Sequence, residues 1–376
     1  MSKHIHNPSE LSPTTGFTLT ELMMAMALSL LLFALAFSVA QQLFNTADIV
    51  GSMSDVNQNL RAAVNMVSRD LAQAGQNIPL GGIPLPYGGS ATGINRPGPV
   101  TQTFTTSGSS LYLPVLTPGY GQGRAQGSGA NVIDTDVVTI IGVNQFSGFN
   151  QTAVNTTTSA PTIAAGAATI TVSTTAAGYI VAGNLVMLTN ANSSCLLAVS
   201  SVNTSTGVIT FTHGDTTNDT LGVNQFPTLS GTGTITAGPT SGTILQLETA
   251  TTKNGTTTYS WPAVLTAYPI TMTTYYLDTS NPGRLMKQSI MAPAQPVALG
   301  INVMTITYTC SSGTSPSRNP SSPSSVQKVA LTMIGETDHQ NHANAQWYSR
   351  SVTNAVAIQN LDFYNKFNLN SNLTQN

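Results

Sequence analysis

Charge is scarce in this 376-residue chain: 7% of its residues are Asp, Glu, Lys or Arg, 12 basic against 14 acidic. No Lys or Arg occurs from residue 125 to 252. A nucleic-acid groove needs clustered cations to neutralise phosphates, so this span does not supply one and no nucleic-acid partner is predicted. Cysteine is nearly absent, with Cys195 and Cys310 alone. Two readings stay open for that pair. An oxidising compartment permits a disulfide, which would constrain the unfolded chain by about 4–5 kcal/mol, and the other reading is two free thiols.

Chemistry-bearing arrangements are missing as well. His339 and His342, with Glu336 and Asp338 nearby, lack a His-Glu-x-x-His context and a third ligand, so a solvated loop is expected and no metal. Gly119-Tyr120-Gly121-Gln122-Gly123-Arg124 lacks the lysine and the following helix of a phosphate cradle, and reads as a loop. Asn-x-Ser/Thr matches at Asn155 and Asn254 are what chance supplies in so Thr-rich a chain. No Ser/His/Asp or Cys/His ordering stands out, so the chain is read as a non-enzyme without a cofactor.

What is present begins with one long apolar run. Residues 22–40 contain only Ser29 and Ser38 as polar members. At ~1.5 Å per residue a helix of this length matches the ~30 Å hydrocarbon core of a bilayer. Glu21 stands at its edge, where an ionisable side chain costs a few kcal/mol and is by default a functional residue. A cut after Gly16 would expose an α-amino group on Phe17 one helical turn from the Glu21 carboxylate, a cation that can neutralise it.

Gly16-Phe17-Thr18-Leu19-Thr20-Glu21 followed by an unbroken apolar helix resembles the processing segment of type IV prepilins and pseudopilins. The resemblance implies that a membrane prepilin peptidase cuts between Gly16 and Phe17, that Phe17 is N-methylated, and that Glu21 is the acid that pairs with a neighbouring subunit's N-terminus during filament assembly. Residues 1–16, with Lys3, His4, His6 and Glu10, then read as a cytoplasmic leader that is removed. A secretory signal would place its apolar segment before the cut, whereas here it follows and is retained.

After residue 40 the pattern turns amphipathic. Leu60, Ala63, Val64, Val67, Leu71 and Ala74 recur at three- and four-residue spacing with polar residues between, one apolar stripe on a helix. Gly51 interrupts the middle, and Gly75 with Pro79 supplies the stop. The expectation is a long helix over 17–75, its first part (17–45) in the membrane and its second the spine of a domain. Two helices broken near Gly51 are the alternative.

Residues 76–376 contain nine Lys/Arg and nine Asp/Glu and are rich in short alternating runs of Thr, Ser, Gly and Asn. Such runs argue for strands joined by turns. Strands are expected at 132–143, 168–172, 184–189, 196–202, 207–212, 243–248, 259–261, 270–277, 301–309, 326–334 and 352–361, with loops over 81–129. The fold class is therefore α+β, a long helix packed on a β-rich domain. Residues 146–242 are expected to include an inserted subdomain, a small barrel or sandwich centred on 164–213.

The succession Gly183-Asn184-Leu185-Val186-Met187-Leu188, Leu196-Leu197-Ala198-Val199, Tyr275-Tyr276-Leu277, Leu285-Met286-Lys287 and Leu299-Gly300-Ile301-Asn302-Val303-Met304 with Tyr308 is similar to PilW-type minor pilins. The Thr/Gly-rich content of 146–242 departs from that pattern. The resemblance implies a structural subunit of a type IV pilus, single-pass in the inner membrane with a periplasmic domain and then extracellular in the pilus. Its implied partners are the prepilin peptidase, major and minor pilins, the inner-membrane assembly platform and the lipid bilayer. A type II secretion pseudopilin and a pilus-tip adhesin are the alternatives, and a membrane-anchored enzyme has the least support.

Overall fold

The computed structural model describes residues 16–80, 82–84, 94–98, 103–104, 112–126, 133–144, 148–149, 152–154, 167–190, 194–212, 214–225, 249–253, 256–260, 264–280, 283–311, 315–320, 323–337 and 347–362. The leader residues 1–15, the strand expected at 243–248, Asn155, Asn254, Asp338, His339 and His342 lie outside the described residues.

One helix, Leu19–Ala72, runs for 54 residues without a break at Gly51. At ~1.5 Å per residue it is about 81 Å long. Its two parts have opposite surroundings. The 18-residue window that is apolar enough to cross a membrane has no buried residue, whereas Val56, Leu60, Ala63, Val64, Val67 and Leu71 are buried against the domain. That spacing is one helical face, and burying each Leu or Val removes enough apolar area to stabilise docking by about 1.5–3 kcal/mol.

The chain leaves the helix through Gly75, whose φ of +74° is the left-handed conformation that favours glycine. Its N–H donates to the Ile141 carbonyl at 2.9 Å, and Asn360 Nδ2 donates to the carbonyls of Gly75 (2.9 Å) and Ile78 (3.0 Å). The helix end is thus tied to the central sheet and to the C-terminal residues.

The central sheet is built on Thr266–Leu277, a 12-residue strand. Along one edge it pairs first with Leu185–Thr189 and then with Arg284–Ser289; along the other, with Thr152–Ala153 and then Val137–Val143. Leu116–Gly119 extends the sheet beyond Val137–Val143, and Gln295–Leu299 extends it beyond Arg284–Ser289. A second, antiparallel sheet of Ile301–Cys310, Val326–Glu336 and Ser349–Ala357 lies against the helix, where Asn354 Nδ2 donates to Ser68 Oγ at 2.9 Å. A third sheet joins Ala167–Thr171, Val208–Thr212 and Ser201–Asn203.

Among the described residues there are two hydrophobic cores, and one hairpin gives a face to each. Successive strand side chains point to opposite faces. In the hairpin of Leu185–Thr189 and Ser194–Ala198, Leu185, Met187, Leu196 and Ala198 enter the main core with the helix, while Val186, Leu188, Cys195 and Leu197 enter a second core with Phe149, Ile170, Ile209 and Phe211. Burial on both faces accounts for its uninterrupted apolar sequence. The second core draws on residues within 146–242 and on Leu265 and Ala267 from the start of the central strand.

Several boundaries differ from expectation. The strand expected at 196–202 is two strands in different sheets, Ser194–Ala198 and Ser201–Asn203, because the chain changes sheets at Val199 and Ser200. The one expected at 132–143 divides at Thr135 and Asp136, which are buried polar residues making non-ladder hydrogen bonds. The last strand ends at Ala357, and Ile358 and Leu361 turn into the core beneath the end of the helix. Leu116–Gly119 lies within the region expected to be loops; Pro118 obscures it, and an edge position tolerates a residue without an N–H.

Candidate functional site

The N-terminal site is formed by the residues that start the helix. Thr18 is extended (φ −70°, ψ 150°) and caps it. Its Oγ accepts the Glu21 backbone N–H at 3.3 Å, and the Glu21 carboxylate accepts the Thr18 N–H at 3.0 Å and the Thr18 hydroxyl at 2.9 Å. This reciprocal arrangement is a capping box, which satisfies donors that the first turn of a helix otherwise leaves unpaired. The Thr18-x-x-Glu21 spacing carries that signal in the sequence, so Glu21 has a local partner besides the expected amine. In the intact chain, Thr18 is what holds the carboxylate.

Gly16 and Phe17 precede the cap and are exposed, Phe17 at 89%. Beyond them Leu22, Met23, Met24, Leu30, Phe33 and Phe37 all face outward. A continuous apolar surface of this size on an isolated helix is an interaction surface for lipid or other helices.

Comparison with family models, curated proteins and solved structures finds no match to this chain.

The two cysteines lie in different places. Cys195 is fully buried in the second core, where burial pushes its thiol well above the ordinary range; Cys310 ends its strand and packs at the margin of the main core. Both are free thiols, so the candidate bridge is not formed in this structure. Among the described residues, no group of three or more His, Cys, Asp or Glu is placed to hold a metal.

The glycine-rich segment around Gly121 wraps a protein carboxylate. Asp136 is buried and accepts the N–H groups of Gly121 (3.0 Å) and Ile306 (2.7 Å) and a fork from Arg318, Nη2 at 2.6 Å and Nε at 3.0 Å. Arg318 also lies over the Tyr120 ring at 4.7 Å, and its hydrogen bonds to Asp136 hold its proton more tightly than usual. Close by, Arg96 bonds Gln122, and burial pushes its guanidinium down to about 10. These groups fasten the turn to the second sheet. Their side chains meet across as many as 182 residues, which no local spacing announces.

Proposed function

We propose that the chain is a type IV pilin-like filament subunit, most similar to the PilW-type minor pilins, held in the inner membrane by the first part of its helix with the β-rich domain in the periplasm, then incorporated into a pilus. The observation that carries the reading is the single helix of 54 residues. Its exposed apolar part starts at Gly16-Phe17-Thr18-Leu19-Thr20-Glu21, and its other part is a wall of the domain core. A rigid element of that kind transmits a position set in the membrane to the domain outside it.

The assembly chemistry follows from the start of the helix. Cleavage by the prepilin peptidase between Gly16 and Phe17 removes the leader and leaves an amine on Phe17, which N-methylation retains as a cation. That amine adjoins Thr18, the residue whose N–H and hydroxyl already bond the Glu21 carboxylate. An incoming subunit's amine then meets an acid whose position the capping box has set. In hydrocarbon the acid is tolerable only when paired, so the contact is directional.

The deciding experiment measures membrane abundance and pilus incorporation of Glu21→Ala beside the parent chain. A filament subunit is cleaved and inserted normally but fails to enter pili. Mass spectrometry of the mature chain should show N-methyl-Phe17 as its first residue. Normal incorporation at normal abundance, or a mature N-terminus elsewhere, overturns the proposal.

A further inference from the structure

Where the helix ends, the central sheet continues past it and leaves an open cleft of ≈ 380 Å³. This lies within the range of ligand clefts, about 300–1,000 Å³. Its floor is the sheet face that carries Thr271, Thr273 and Ser289, and one wall is the last turn of the helix with Arg69 and Gln73. The walls are fixed from both sides. Asp70 takes the Lys287 ammonium at 2.7 Å and the Tyr275 hydroxyl, Thr273 and Ser289 share a hydrogen bond of 2.9 Å, and Gly75 ties the helix end to Ile141. Three charged side chains, Arg69, Asp70 and Lys287, line the cleft.

We infer that this cleft binds a hydroxyl-rich carboxylate, the uronic-acid unit of an acidic polysaccharide. Lys287 is committed to Asp70, while the Arg69 side chain is 68% exposed and 3.6 Å from the same carboxylate, at the edge of its reach. One outward guanidinium matches one carboxylate by a two-point fork, and falls short of the charge of a phosphate. Hydroxyl and carboxamide groups on floor and wall donate and accept, as a sugar ring bearing a hydroxyl on most carbons requires. Among the described residues, Ile140 and Val143 are the large apolar side chains of the lining.

The test is calorimetric titration of the detergent-solubilised full chain with galacturonic acid oligomers, with neutral galactose oligomers and inorganic phosphate as separate arms. The galacturonate arm should show saturable binding, and the neutral oligomer should bind roughly ten-fold more weakly, the scale of a charge-assisted hydrogen bond. Arg69→Gln, at an exposed position, should bring galacturonate down to the neutral level with an unchanged melting temperature. Thr271→Val should weaken both sugars alike. Absence of galacturonate binding, binding that survives both substitutions, or phosphate binding as tightly as galacturonate overturns the assignment.

Discussion

Asp70 and Tyr275, 205 residues apart in the chain, meet as a hydrogen-bonded pair that fastens the helix to the central strand. Lys287 completes the group, with its ammonium 2.7 Å from the same carboxylate and 5.5 Å from the Tyr275 ring centroid. Burial, reinforced by the neighbouring Asp70, pushes the Tyr275 hydroxyl well above its ordinary range, so it remains a donor at any physiological pH. Removing the acid strands a hydroxyl and an ammonium that are both partly shielded from water. Asp70→Ala should lower the domain's stability in urea unfolding by about 1–3 kcal/mol. A change below about 0.5 kcal/mol, the level of an ordinary surface substitution, would mean that the apolar stripe alone docks the helix.

Two glycines of the same helical region should respond in opposite directions. At Gly75 a Cβ would lie 2.8 Å from Asn360 and from Val115, and the backbone is left-handed. Gly75→Ala should therefore destabilise by about 2–4 kcal/mol, from the backbone term and the overpacking together. At Gly51 a Cβ would meet nothing within 4 Å. Gly51→Ala should stiffen the helix and stabilise it by up to about 1 kcal/mol, readable as increased helical circular dichroism. An equal loss at both positions would contradict the packing described.

The thiols give a chemical readout of the second core. In the native full chain, maleimide should modify Cys310 and leave Cys195 untouched until denaturant is added, since burial both shields the Cys195 thiol and suppresses its thiolate. Gels with and without reductant should show one mobility. A reductant-dependent shift would establish a bridge between Cys195 and Cys310.

The turn after the central strand should be acid-sensitive. Desolvation works to raise the Asp278 pKa, but hydrogen bonds from Ser280 and Arg284 outweigh it, and the carboxyl lies below its ordinary 3.8. A depressed folded pKa means stability that is present above 3.8 and lost as the pH falls through the folded value. Asp278→Asn should therefore be less stable than the parent at neutral pH, with the difference shrinking in acid; a difference that persists unchanged at low pH would refute the assignment.

Local pattern by itself determined the N-terminal region of this protein. The run of residues 22–40 has no polar side chain beyond two serines, so a helix there needs no partner within the chain to be recognised. The stripe of Leu60, Ala63, Val64, Val67 and Leu71 names its buried face by spacing alone, and all five are buried. Thr18 and Glu21 also lay within local reach, as a capping box four residues long. Tertiary structure decided everything that depends on partners remote in the chain. It split the apolar stretch at Val199 and Ser200 between two sheets, placed Cys195 and Cys310 in separate surroundings, and gave the two faces of one hairpin to two cores. Alternation in a strand states that its faces differ but not what covers each, and a charged residue's neighbours do not reveal its partner. Asp70 with Lys287 is set by how the helix docks on the central sheet, and Asp136 with Arg318 by how the glycine-rich turn meets the second sheet, and both are properties of the whole chain.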